Sequence, residues 1–114
     1  MPGDGAQAPE DLSSRSFYES AAADGYYAVL YAARTALSEE ERYAKTHGGT
    51  WDLFYRLFVG DGRFDRELYA EARSSERIRL DAHYEAREVP FEEARRVVDA
   101  AERFVSAVER MVSR

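Results

Sequence analysis

The chain has no cysteine, one lysine, three prolines and two histidines among its 114 residues. Without cysteine there are no disulfides and no thiolate metal sites, and with so few ligating side chains neither a metal nor a cofactor is expected. Long hydrophobic runs are missing as well. The longest unbroken apolar stretch, Tyr26 to Ala33, falls well short of the roughly 20 residues that cross a bilayer. Residues 1–13 lack the basic and apolar regions of a secretory signal, so no membrane partner and a cytoplasmic location are expected. Positive charge is scarce: 16 basic against 22 acidic residues give a net charge of −6. That balance argues against broad electrostatic capture of nucleic acid, and any contact with RNA has to be local.

What is present is enough for a packed core. Hydrophobic residues make up 45% of the chain and aromatics 13%, a composition that folds instead of staying disordered. The length suits one domain. Met1 to Leu12, rich in Gly, Pro, Ala and acidic residues without an apolar period, reads as a flexible tail, so residues 1–13 are set apart from a helical domain over 14–114.

Tyr18, Ala22, Tyr26, Val29, Ala33 and Leu37 recur every three or four residues and predict a helix from Ser14 to about Leu37. Gly25 interrupts it at a cost of about 1 kcal/mol relative to Ala, tolerable where another backbone comes close. A polar connection follows, from Ser38 to Gly49. Trp51, Phe54, Tyr55, Leu57 and Phe58 then form a short helix covered on most of its circumference. Gly60-Asp61-Gly62 stops it, Asp65 caps the next helix, which runs to about Tyr84, and Pro90 opens a last one. No strand alternation and no repeat interrupts this pattern. Four helices with short connections predict an all-α, antiparallel up-and-down bundle, and the many large aromatics favour a homodimer.

Three segments, taken in order, resemble the HEPN family: Gly25-Tyr26-Tyr27-Ala28-Val29-Leu30-Tyr31-Ala32-Ala33, then Lys45-Thr46-His47-Gly48-Gly49, then Arg79-Leu80-Asp81-Ala82-His83-Tyr84. Phe58 to Asp65, lying between the last two, is similar to the family's helix-to-helix junction. The resemblance implies a dimeric helical bundle, a minimal nucleotidyltransferase as partner in a toxin–antitoxin module, nucleotide binding, and, as an alternative activity, metal-independent cleavage of RNA. It departs from the family in the short segment before the Tyr pair and in carrying Ala23 and Asp24 where polar and basic residues are usual.

Nucleases of the family pair an Arg with a His about four to six residues apart, the His exchanging protons and the Arg stabilising the phosphorane. Arg77 and His83 match that spacing literally. At 100° per residue, however, Phe64, Leu68, Ala72, Ser75, Arg79 and Ala82 share one inward arc of about 80°, whereas Arg77 points about 160° from Arg79. Arg79 and His83, across a dimer cleft, are therefore the favoured catalytic pair, although only three residues separate them. The bland alternatives are that Arg79 ties helices together through a carboxylate such as Glu19 or Glu71 and that Arg77 pairs with Asp81 at the surface.

The resemblance also marks Tyr84 as a candidate for adenylylation by the partner, against an amphipathic tyrosine closing the helix end. Lys45, Thr46 and His47, before a glycine pair, could hold an anion at a helix N-terminus; a threonine cap explains the same residues. Tyr26, Tyr27 and Tyr31 could stack on bases, but core and dimer packing is favoured. The alternating Arg and Glu residues near the C-terminus read as a solvated face.

Overall fold

The computed structural model describes the backbone of residues 2–84 and 88–113 and the side chains of 17–81 and 88–113. Its helices are α1, Pro2–Glu39; α2, His47–Phe54, continued by a π-helical turn over Tyr55–Val59; α3, Arg66–Tyr84; and α4, Phe91–Val112. No strand occurs among the described residues, and the all-α bundle expected from the sequence is present.

The apolar stripe of α1 is buried as its period demands, with Ala22, Tyr26, Val29, Ala33 and Leu37 all closed to solvent. The helix nevertheless begins at Pro2, well before the stripe does. Once the stripe is docked, each further helical residue adds a hydrogen bond without a new nucleation cost, and Ala6, Gln7, Ala8 and Glu10 suit a helix. The side chains of 1–16 lie outside the described residues.

Thr46 starts α2. Its backbone is extended, and its Oγ1 accepts from the Gly49 N–H at 2.9 Å, which satisfies an otherwise orphaned donor of the first turn. At the other end the Gly60 N–H reaches the Tyr55 carbonyl at 2.7 Å, a five-residue step that widens the helix. Gly62, at φ +86°, reverses the chain in a conformation that side chains disfavour. Asp65 then caps α3, accepting from the Glu67 and Leu68 N–H groups at 2.7 and 3.0 Å.

These devices deliver a dense aromatic centre. Phe54 meets Phe58 and Phe64 edge-on at 4.9 and 5.0 Å, and Phe64 lies 5.0 Å from Phe104 of α4. Trp51 and Phe104 are fully buried beside them. α3 runs against α4, as the pairing of Glu71 with Arg103 at 2.6 Å and the packing of Ile78 with Val89 and Ala94 require. α1 and α4 run in the same sense: Tyr18 meets Phe91 at 5.6 Å, and Gly25 faces Val97. The segment 40–46 produces this order by carrying the chain back along α1, so that α2 starts beside Tyr26. The close approach that Gly25 permits is to α4; an added Cβ there would sit 2.7 Å from Val97 Cγ1 and 3.5 Å from its carbonyl oxygen.

Candidate functional site

The inward stripe of α3 changes character along its length. Ala72 and Ser75 are buried, as is Phe64 just before the helix, Ser75 satisfying its hydroxyl on the Ala72 carbonyl at 2.6 Å. Then come Glu76 and Arg79, both half-buried. A guanidinium at such a place needs acceptors or π-faces, and α1 supplies both. Arg79 donates from Nη2 to the Tyr27 hydroxyl at 3.0 Å, and its Cζ lies 5.1 Å from the Tyr27 ring centre and 5.5 Å from that of Tyr26.

The carboxylates offered by the sequence as partners for Arg79 do not serve. Glu71 is engaged by Arg103, and Glu19 is exposed. The reason is geometric: Glu71 lies two turns away on α3 and faces α4, leaving the tyrosine pair as the nearest π-surface.

Tyr26 joins three helices. Its hydroxyl lies 2.8 Å from His47 Nδ1, at the start of α2, and donates to Glu76 Oε2 at 3.4 Å. Burial, reinforced by the charge of Glu76 and by the hydrogen bond to it, pushes its acidity constant up to about 12. The nearby Trp51 indole N–H and the Arg79 charge only partly offset this. Tyr26 is therefore a neutral hydrogen-bonding hub at any physiological pH. The hydrogen bonds form one consistent chain when His47 Nδ1–H donates to Tyr26 and Tyr26 donates to the Glu76 carboxylate, which leaves Nε2 as the ring's available nitrogen.

Around this hub, Tyr27 and Tyr31 stack at 6.0 Å, and Tyr31 remains 59% exposed. Arg73 leans over the Trp51 ring at 5.9 Å, and one of its guanidinium nitrogens is buried without a partner among the described residues. A shallow cleft of about 510 Å³ runs along this side of α3, lined by Arg73, Glu76, Arg77 and Asp81 among others. Among the described residues no three His, Asp or Glu side chains converge as a metal site, and no helix is long and apolar enough to cross a membrane.

Comparison with known families returns one decisive match: the HEPN domain model covers residues 5–111. The chain belongs to the HEPN family. Two proteins of Methanocaldococcus jannaschii, both bearing names of candidate toxins, are similar to this HEPN chain. The first is 30% identical over 77% of the chain and 60% of its own length, and the second 29% identical over 87% of the chain and 74% of its own length. The chain thus spans less than two thirds of the first of them. No solved structure matches it.

Within this HEPN bundle the residues singled out by sequence separate. Arg79 sits at the polar hub, while Arg77 is exposed and borders only the outer cleft. The side chains of His83 and Tyr84 lie outside the described residues. Thr46 is a helix cap, Lys45 is exposed, and His47 turns inward to Tyr26. Glu76 and Arg73 carry no sequence signal, since what distinguishes them is contact with residues far away in the chain.

Proposed function

We propose that this HEPN protein is a toxin–antitoxin-type component that works as a dimer and binds a minimal nucleotidyltransferase, with a nucleotide phosphate received near Arg79. The observation that carries this reading is the Arg79 guanidinium seated on Tyr26 and Tyr27 and bonded to the Tyr27 hydroxyl. A cation cradled by aromatics, with no carboxylate bonded to it among the described residues, keeps its charge for an incoming anion. The names of the archaeal relatives support the toxin class. A shallow apolar groove between α1 and α4, lined by Ala21, Gly25, Ala28, Val98, Ala101 and Val105, supports a second copy as the dimer partner. A cytoplasmic setting accords with this role.

Expression of the chain together with the product of its neighbouring gene tests the reading. A stoichiometric complex with a nucleotidyltransferase, weakened by Arg79→Ala, supports it. A chain that stays monomeric and binds no such protein contradicts it.

The second reading, a metal-independent RNase acting on the partner's behalf or against the host, is favoured by one feature: a guanidinium and an imidazole share Tyr26 as a neighbour. Those are the two group types that phosphodiester cleavage uses. In the family's pattern the imidazole belongs to His83; Tyr84 beside it remains a candidate for adenylylation.

A further inference from the structure

Among the described residues, the imidazole of His47 is built into a relay. Its Nδ1 is fixed on the Tyr26 hydroxyl at 2.8 Å, and Tyr26 is in turn tied to the Glu76 carboxylate at 3.4 Å. Tyr26 is wholly buried, and both of its partners are half-buried. His47 itself is only half-buried and opens α2 next to Gly48, where no atom lies within 4 Å of the place a Cβ would take. An imidazole held through one nitrogen by an acceptor chain ending in a carboxylate is the arrangement by which enzymes orient a histidine base. Arg79 lies over the ring of the same Tyr26, so the guanidinium and the imidazole share one neighbour.

We propose that His47, oriented by Tyr26 and Glu76, is the proton-exchanging residue of an RNA-cleaving site centred on Arg79, a role that the sequence pattern assigns to His83. The proposal rests on the RNase reading above. In the step, His47 Nε2 takes the proton of a ribose 2′-hydroxyl as that oxygen bonds to the adjacent phosphorus. Arg79 stabilises the added charge on the non-bridging oxygens. The bond from phosphorus to the 5′-oxygen breaks, and the imidazolium returns its proton to the leaving oxygen. The products are a 2′,3′-cyclic phosphate and a 5′-hydroxyl, with no net gain or loss of protons or electrons. Tyr26 and Glu76 are positioning residues, because they act only through His47.

The test is cleavage of transfer RNA in the presence of a chelator by the full chain and by His47→Ala, Tyr26→Phe, Glu76→Gln and His83→Ala, each checked for helical content. The wild type is expected to leave cyclic-phosphate ends. His47→Ala is expected to lose about 100-fold or more of the rate, within the range that acid–base catalysis contributes, and to regain part of it with added imidazole. Tyr26→Phe and Glu76→Gln are expected to lose about tenfold and to shift the pH–rate profile, a change that a purely structural defect does not produce. Cleavage at the wild-type rate by His47→Ala overturns the proposal alone, and its loss in His83→Ala at the same time returns the role to that residue. A clean wild type that cleaves nothing overturns the RNase reading together with it.

Discussion

Arg79 and Tyr27, 52 positions apart in the chain, are joined by a 3.0 Å hydrogen bond that locks α3 to α1 at the polar end of their interface. The guanidinium lies near the tyrosine rings as well as bonding a hydroxyl, so a replacement has to match shape as well as charge. Arg79→Lys keeps the charge and loses the planar fork. We expect it to unfold about 1 kcal/mol more easily and to retain little of the binding or activity attributed to Arg79. Urea unfolding followed by circular dichroism, beside the functional assay, checks this. A fully active lysine variant would show that only charge matters.

Tyr26→Phe keeps the buried ring and removes the hydroxyl that His47 and Glu76 share. Both partners are half-buried, so a loss of about 1 to 2 kcal/mol is expected, from groups left without their bond. Measurement against Glu76→Gln and the double variant gives the coupling. Strict additivity would mean that the two residues do not interact.

Alkaline pH should weaken the fold through the same residue. The Tyr26 acidity constant is raised from 10.0 to about 12 in the folded chain, so the unfolded chain gives up this proton first. The stabilisation is complete below pH 10.0 and is lost as pH rises toward about 12. Burial also raises the constant of Tyr69, which adds to the trend. Tyr26→Phe should flatten, without abolishing, the fall in unfolding midpoint across that window. An unchanged slope in the variant would assign the effect to other tyrosines.

Gly25 is a packing requirement. A Cβ there meets Val97 Cγ1 at 2.7 Å, and overpacking costs about 1–3 kcal/mol, against roughly 1 kcal/mol gained in helix propensity. Gly25→Ala is therefore expected to be neutral to destabilising by about 2 kcal/mol. The double variant with Val97→Ala should recover the close fit but carry the cost of the deleted methyl groups. Thermal unfolding of all three distinguishes this from a position where glycine is incidental, at which Gly25→Ala alone would stabilise.

Much of this fold was legible residue by residue. The stripe from Ala22 to Leu37, the cap at Asp65, the stop at Gly60 to Gly62 and the start at Pro90 are all local in origin, and each stands where the pattern places it. The π-helical turn over Tyr55–Val59 has no local signature, because it serves the packing of Phe58 and Val59 against other helices. The site was legible only in its arginine. The helical arc separates Arg79 from Arg77, and in the structure Arg79 is half-buried and Arg77 exposed. His47 sits in a Thr-His-Gly-Gly turn whose local grammar reads as a cap, and Thr46 does cap it. Nothing local reveals that the imidazole meets Tyr26 or that Tyr26 meets Glu76, 50 positions later. Such pairings depend on the return path of 40–46, which composition does not encode.

On the proposal made above, Arg79 is the functional residue of a toxin-type HEPN protein. Induced expression in bacterial cells without any partner, comparing the wild type with Arg79→Ala, measures this most directly. The wild type should arrest growth, and the variant, folded and present at the same level, should not. Equal arrest by both proteins, or none by either, would contradict the account.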